Sequence, residues 1–203
     1  MIASRRILLG DLCEVTVGPS GSLLENLHDN KDGVPVLTPS DLSARREVIR
    51  ENLRRLSRKE AGQLARFALR QGDVLFVRQG ALGRTAVIEP EQTGWLYSSS
   101  CLRLRPRSEQ VMPTYLALYL SHPPVLAELT GQAPPGTVLW AHASTLRRLP
   151  VHVPPLRQQA AVVGTISAID ARIKAEQALL VKLEGLGSAI FENMLGDCDP
   201  STQ

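Results

Sequence analysis

The last quarter of the sequence carries a heptad repeat of apolar residues, and this repeat limits what the chain can fold into. About forty residues follow the Pro-Pro pair at 154–155 without another proline, and at 1.5 Å per residue they form a helix of roughly 60 Å. The stripe predicts packing against the helix of another molecule; the alternative is a helix that folds back on its own domain. With Ile166 at position a, eight of the ten a and d positions are apolar, namely Val162, Ile166, Ile169, Ile173, Leu180, Leu183, Ile190 and Met194.

Composition predicts one globular domain ahead of this helix. The chain has 203 residues and is 43% hydrophobic but only 4% aromatic, so its core is expected to consist mainly of Leu, Val, Ile and Ala. Strand-like and helix-like segments both occur in it, which predicts a mixed α/β (α+β) domain with a small twisted sheet at residues 1–153. The long helix is expected at 154–196, followed by a disordered tail at 197–203.

Hydropathy and cysteine usage predict a cytoplasmic protein without a membrane segment. No apolar run approaches the roughly eighteen residues that a membrane span needs, and the apolar stretch near the start is too short for a signal peptide. Three widely spaced cysteines, Cys13, Cys101 and Cys198, indicate free thiols in a reducing compartment. Neither these thiols nor the four scattered histidines have the spacing of a metal site, so no metal is expected.

Basic residues concentrate in one part of the chain. Residues 45–107 contain fourteen basic and six acidic residues, a balance of +8, whereas the whole chain carries +3. This concentration indicates a site for a polyanion such as nucleic acid. The alternative interpretation is that residues 45–58 form the solvated face of a helix, with Glu47 and Glu51 paired to neighbouring arginines.

Local patterns place several elements in the globular part. Ser57 and Glu60 have the spacing of a capping box that starts a helix. VPVL at 34–37 reads as a short buried strand followed by a polar turn, in which Ser40 or Asp41 can cap the next segment. Further strands are predicted at 74–77, with alternating character, at 95–106 and at 149–153, and helices at 57–66, 112–122, 125–130 and 143–148.

The sequence lacks the common catalytic motifs. It has no P-loop of the form GxxxxGK[ST], no [DN]PP[FY] tetrapeptide of the adenine methylases, and no lysine that ends an ExK motif. HExxH and GxSxG are also absent. These absences predict a chain without catalytic residues or cofactors of its own. A small DNA-acting enzyme with an unrecognised site is the alternative.

Four segments taken together resemble the specificity (S) subunit of type I restriction–modification systems. The pattern LxxGDhLhxxxGxxG followed by hPPLxxQ is the most specific part of the resemblance, although Arg157 stands where the family usually has an acidic residue. A full S subunit has two recognition halves in tandem, whereas one is found here, so the chain resembles a half-subunit. The segments, in the family's order, are LGDLCEVTVG, DGVPVLTPSDL, LRQGDVLFVRQGALGRTAVI and LRRLPVHVPPLRQQAAVVGTISAIDARI.

The resemblance implies a non-catalytic subunit that recognises double-stranded DNA in a phage-defence system. It also implies that the long helix docks a DNA methyltransferase (M) subunit and that some assemblies add a restriction and translocase (R) subunit. S-adenosylmethionine and ATP would bind those partners, and this chain would hold no cofactor. A stand-alone DNA-binding regulator is the alternative function.

The predicted strand end at Arg78 and Gln79 is the first candidate for contact with DNA bases. Arg and Gln side chains can each form two hydrogen bonds in the major groove, with guanine and adenine respectively. Gly80, which follows, lets the backbone approach a partner closely. An ordinary solvated hairpin loop is the alternative interpretation. Weaker candidates for base or phosphate contact are Thr38, Ser40, Arg45, Arg84 and Ser99.

The single recognition domain and the single long helix predict an antiparallel homodimer. By the resemblance, a full S subunit holds two recognition domains at opposite ends of two antiparallel helices, and two half-subunits restore that arrangement with two-fold symmetry. The expected target is two inverted half-sites around a spacer. Glu176 interrupts the apolar seam and is expected to reach solvent or to pair with Lys174 or Arg172 of the other chain. A heterodimer with a different half-subunit is the alternative.

Overall fold

The computed structural model describes residues 5–29, 31–131 and 140–196. The contacts within the chain divide it into two compact units, Met1–Val163 and Gly164–Gln203. The predicted tail at 197–203 lies outside the described residues, and the predicted domain boundary after residue 153 stays a prediction. No helix in the described ranges is long and apolar enough to cross a membrane.

Three sheets are found in the described part of the chain. Their strands are β1 (Arg5–Leu8), β2 (Cys13–Val17), β3 (Val34–Leu37), β4 (Arg55–Leu56), β5 (Val74–Val77), β6 (Thr85–Val87), β7 (Leu96–Tyr97), β8 (Cys101–Pro106) and β9 (Pro150–Val153). The largest sheet has the strand order β2-β8-β5-β6 and is antiparallel throughout. The second has the order β4-β3-β7 with β3 and β7 parallel, and the third pairs β1 with β9.

Helices accompany these sheets and complete the mixed α/β architecture that the sequence predicts. The predicted strand at 34–37 and the predicted short helices after residue 112 are confirmed, with small differences at their ends. The helices are α1 (Leu9–Leu12), α2 (Arg58–Gln63), α3 (Pro113–Leu120), α4 (Pro123–Thr130), α5 (Ala143–Arg147) and α6 (Leu156–Gly196).

Both faces of the four-stranded sheet are covered, so β5 is buried along its whole length. Val74 and Phe76 belong to a core that includes residues of α3, α4 and β9. Leu75 and Val77 belong to a second core, which includes residues of β3 and β7. The predicted alternating character of this strand is therefore wrong, because a strand covered on both faces contains a continuous apolar run.

The strand predicted at 95–106 is two strands, β7 and β8, separated by a turn at 98–100. β8 buries Arg103, which is 3% exposed and whose Nη2 lies 2.8 Å from Oε1 of Glu14 on β2. The hydrogen bond from Thr16, and after it the charge of Arg103, hold the pKa of Glu14 below its usual value. A buried arginine in this strand therefore serves the fold and is not a free surface charge.

Side-chain caps fix two short helical turns. At α2 the predicted capping box is confirmed, since the backbone N–H of Glu60 donates to Ser57 Oγ at 3.3 Å. After β3 the prediction that Ser40 or Asp41 caps the next segment is wrong. Asp41 instead closes its own turn, because the backbone N–H and the hydroxyl of Thr38 donate to its Oδ2 at 2.7 and 2.6 Å.

The basic segment ahead of α2 consists of turns and extended chain. Residues 45–57 contain no helix, and Arg46 and Asn52 have positive φ angles of 65° and 58° that interrupt regular structure. The interpretation of this segment as the face of a solvated helix is therefore wrong. Its ion pairs include two long, exposed ones of 3.9 Å, from Arg50 to Glu91 and from Arg54 to Asp29.

A buried glutamine anchors the start of α6. Gln159 is fully buried, and its Nε2 donates to the carbonyl oxygens of Gln110 and Pro154, each at 2.8 Å. Its Oε1 accepts the backbone N–H of Met112 at 2.8 Å. These three hydrogen bonds give a physical reason for the glutamine in the hPPLxxQ pattern, because a buried amide must satisfy its donors and acceptor within the fold.

The predicted long helix is confirmed as α6, which has 41 residues. Arg172 Nε lies 2.7 Å from Glu176 Oε1 within this helix. Glu176, which interrupts the heptad, therefore forms an ion pair inside its own chain. The seam remains accessible to a partner, since Ile169, Ile173, Leu180 and Leu183 are 49%, 40%, 58% and 53% exposed.

Candidate nucleic-acid interface

Three loops meet at one edge of the globular unit. Because β3 and β7 are parallel neighbours, the turns that follow them leave on the same side, and Ser98 N–H donates to Leu37 O at 2.8 Å. The end of β5 lies beside them, since Arg78 N–H donates to Ser100 O at 2.9 Å. The fold therefore brings six of the predicted residues into these neighbouring loops, which we call the loop cluster: Thr38, Ser40, Arg78, Gln79, Gly80 and Ser99.

Glycines permit the close approach of the backbone at this edge. Gly18, at the end of β2, donates its N–H to Cys101 O at 3.2 Å, and a Cβ on Gly18 would collide with the carbonyl of Ser98. Gly80 has a φ of +83° and open space on the side where a Cβ would stand. The backbone at Gly80 is therefore exposed in a conformation that favours glycine.

Arg84 joins the loop cluster from the turn of the β5–β6 hairpin, directly before β6. Its side chain is exposed, and its Nη1 donates to Leu42 O at 3.1 Å, which ties the hairpin to the turn after β3. Arg45 lies on the next turn along the chain, where its backbone N–H donates to Ser43 Oγ at 3.2 Å. The structure thus brings Arg84 into the loop cluster, whereas Arg45 lies on the turn that follows residues 38–42 along the chain.

The predicted hydroxyl residues differ in how far the fold already uses them. Thr38 Oγ1 lies 2.8 Å from Ser40 Oγ and also donates to Asp41, so its hydroxyl holds the turn. Ser40 is exposed, and Ser99 is partly exposed in the turn between β7 and β8. Ser40 and Ser99 are therefore the more accessible donors of this group.

A tryptophan that the sequence analysis did not select covers Arg78. The Arg78 guanidinium carbon lies 4.5 Å from the centroid of the Trp140 ring, and Trp140 stacks on His142 with centroids 5.8 Å apart at an interplanar angle of 13°. Gln79 and Trp140 form an isolated antiparallel bridge. Partial burial lowers the pKa of Arg78, and its Nε is buried with no acceptor among the residues that the structure describes.

The arginines of this region divide into paired and unpaired groups. Arg103 pairs with Glu14, and Arg105 forms two 2.7 Å hydrogen bonds with Asp73, which is 1% exposed. In the ranges that the structure describes, no carboxylate forms an ion pair with Arg45, Arg78 or Arg84. Arg45, Arg78 and Arg84 therefore keep their positive charge available to a polyanion.

The described residues offer no centre for metal or thiol chemistry. No group of three or more His, Cys, Asp or Glu residues within them could hold a metal ion. Cys13 and Cys101 are buried free cysteines, and burial raises the pKa of each thiol to about 12. Because the thiolate is the nucleophilic form, neither side chain is reactive at neutral pH.

Comparisons with known proteins place this geometry in a family context. The model of the family described as type I restriction modification DNA specificity domain matches residues 6–185. A search of curated proteins gave no match. The match to the family model covers both the loop cluster and most of α6.

Solved structures share the fold. They include a chain from a structure of the type I R-M system concerned with complex assembly and conformational transition (19% identity, TM-score 0.67, 95% of this chain and 45% of that chain). The HsdS subunit from Thermoanaerobacter tengcongensis is similar at 17% identity and TM-score 0.66, over 98% of this chain and 51% of that chain. The type I S subunit from M. genitalium is similar at 13% identity and TM-score 0.57, over 98% and 47%. The present chain thus spans about half the length of each.

Proposed function

Because this chain belongs to the type I restriction modification DNA specificity domain family, we propose that it is the DNA-recognition component of such a system. The observation that carries the proposal is the loop cluster, where Arg78 has no carboxylate partner among the described residues and Gln79 and the open Gly80 follow it. Side chains of these two types can read base edges in the major groove.

The remaining members of the cluster have the chemistry of backbone contacts. Arg84 is exposed and Arg45 lies on the adjacent turn, so both can neutralise phosphates. Ser40 and Ser99 can donate hydroxyl hydrogen bonds to phosphate oxygens, while Thr38 acts by holding the turn. Phosphate contacts would fix the register of the domain on the duplex, and the residues at the end of β5 would then read sequence.

Alanine variants of the proposed base readers test this assignment. Selection of bound duplexes from a randomised pool first gives the preferred target of the full chain. On that duplex, Arg78→Ala and Gln79→Ala are each expected to weaken binding by about 1–3 kcal/mol and to relax the preference at one base pair. Fluorescence anisotropy at a fixed salt concentration measures the change, because affinity for DNA depends strongly on salt.

A charge-matched control separates base reading from a general loss of positive charge. Arg6 is an exposed arginine of β1. The strand that follows, β2, begins beside the end of β8, whereas the end of β5 at Arg78 lies beside the start of β8. Arg6 therefore belongs to a part of the chain away from the loop cluster. Arg6→Ala is expected to leave affinity and preference unchanged. Unaltered binding by both Arg78→Ala and Gln79→Ala would remove these residues from the interface.

The chain is proposed to act without catalysis of its own, in the cytoplasm, beside a methyltransferase subunit and in some assemblies a restriction subunit. The family assignment and the inert buried thiols support this role. Purified protein incubated with DNA and Mg²⁺ or S-adenosylmethionine is expected to give no turnover. Cleavage or methylation without partners would favour a small enzyme, whereas failure to co-purify with a methyltransferase would favour a stand-alone regulator.

We further propose that two copies pair through the seam of α6 in antiparallel orientation. The seam is exposed in the single chain, and two copies together match the length of the solved S subunits of which one copy spans about half. A two-fold dimer presents two identical recognition domains, which predicts two inverted half-sites. Pairing with a different half-subunit would instead give an asymmetric target.

The second half of α6 offers a wider apolar surface than a two-stranded coil can cover. Beside the seam, Leu179 and Leu186 occupy g positions and Phe191 an e position, and they are 55%, 57% and 62% exposed. A helix pair buries chiefly its a and d residues, so these flanking side chains remain for a third element. Leu179 and Leu186 lie on one side of the seam and Phe191 on the other, and we assign the side with Leu179 and Leu186 to docking of the methyltransferase subunit.

A further inference from the structure

Trp140 is a large apolar side chain that the fold does not bury. It is 43% exposed and belongs to neither hydrophobic core, although its neighbour Ala141 is fully buried. The antiparallel bridge between Gln79 and Trp140, which includes the hydrogen bond from Ala141 N–H to Arg78 O at 3.0 Å, holds its backbone against the end of β5. The indole therefore stands beside Arg78 and belongs to neither core.

The indole positions Arg78 without using the N–H donors that the arginine needs for hydrogen bonds with a ligand. Arg103 and Arg105 are held by carboxylates, whereas the Arg78 guanidinium lies 4.5 Å above the Trp140 ring and has no ion pair among the described residues. A cation over an aromatic face is attracted by the ring without losing its charge to a counter-ion. The Nε of Arg78 is buried, so the guanidinium can meet a ligand through its Nη atoms.

We propose that Trp140 is a positioning residue for Arg78 and acts on DNA binding through that arginine. This inference rests on the proposed recognition of DNA by the loop cluster. By restricting the guanidinium before DNA binds, the ring lowers the conformational entropy that Arg78 loses on forming two hydrogen bonds with a base. His142 stacks on the indole at an interplanar angle of 13°, which favours this orientation of the ring.

A double-mutant cycle on the selected duplex tests the coupling. Trp140→Ala is expected to weaken binding about five- to tenfold, and Trp140→Phe, which keeps an aromatic face, about half as much on a logarithmic scale. Combined with Arg78→Ala, Trp140→Ala is expected to add little further loss, because the ring acts through the arginine. Effects that multiply independently, or no effect of Trp140→Ala on binding, would overturn the inference.

Tryptophan fluorescence gives a second readout that a purely structural role would not change. The chain has two tryptophans, so Trp95→Phe leaves Trp140 as the single reporter. Addition of the selected duplex is expected to change the emission of this variant, whereas Trp140→Phe, which retains Trp95, is expected to show no change. If the wild-type protein binds no duplex at all, the proposed function fails. If Arg78→Ala weakens binding but Trp140→Ala does not, and the emission of Trp140 does not change on addition of DNA, only this inference fails.

Discussion

Replacement of Asp73 by alanine is expected to lower the free energy of unfolding by about 3 kcal/mol, because it breaks a buried ion pair. Asp73 is 1% exposed, and its two oxygens each accept a hydrogen bond of 2.7 Å from Arg105. Its Oδ2 also accepts the backbone N–H of Arg70 at 2.8 Å. The hydrogen bond to Asp73 raises the pKa of Arg105, and removal of the carboxylate leaves that largely buried guanidinium without this counter-ion, although its Nη2 still donates to Ala68 O at 3.2 Å.

Urea denaturation of Asp73→Ala and of a surface control measures this loss. Glu91→Ala is the matched control, because it removes a carboxylate from the exposed 3.9 Å pair with Arg50 and is expected to cost less than about 1 kcal/mol. Asp73→Asn keeps a hydrogen-bond acceptor for the turn but removes the charge. Its loss in the free energy of unfolding is expected to lie between those of Asp73→Ala and Glu91→Ala. Equal stability of Asp73→Ala and Glu91→Ala would show that the buried pair does not stabilise the fold.

The role of Asp73 illustrates which part of the fold can be predicted from sequence. The Gly-Asp pair before β5 predicts a tight turn, and Gly72 does adopt a φ of +82° there. The pairing of Asp73 with Arg105 joins residues 32 positions apart, and no local pattern encodes it. The same limit applies to β5, whose apolar run does not reveal that separate cores cover its two faces.

Residues of the candidate site can be predicted from sequence where a local signal marks them. The prediction is incomplete where a segment distant in sequence contributes to the site. Arg78, Gln79 and Gly80 are predicted as DNA contacts because they follow the end of a strand and include a glycine, and both features are local in sequence. Trp140 was missed because its contact with Arg78 depends on a bridge between segments about sixty residues apart. The signal in the sequence is a tryptophan in a chain with few aromatic residues, and this signal does not indicate which segment the tryptophan contacts.

The helix α6 is the element that the sequence predicts best, because a heptad over five turns or more depends only on local periodicity. The same pattern carries no information about which molecule covers the seam. Glu176 shows the difference, since its pairing with Arg172 within the helix competes with the cross-chain pairing that the heptad alone suggests. The identity of the partner is therefore a question for solution measurements.

The double variant Ile173→Asp with Leu180→Asp is expected to convert a dimer into a monomer. Both residues occupy a positions near the middle of α6 and are 40% and 58% exposed in the single chain. Burial of each such side chain contributes about 1.5–3 kcal/mol, and two carboxylates at the seam add the cost of burying charge. A loss of about 4 kcal/mol or more raises the dissociation constant roughly a thousandfold. Light scattering at micromolar concentration measures the change in mass.

The opposite face of the same helix provides the control. Ala171 and Ala178 occupy f positions, away from the seam, and both are exposed. Ala171→Asp with Ala178→Asp adds the same charge to the same helix and is expected to leave the dimer intact. Thermal unfolding of the globular unit is expected to be similar in both double variants. A wild-type monomer at micromolar concentration would contradict the homodimer and favour a different half-subunit as the partner. Equal dissociation by both variants would contradict pairing through the seam.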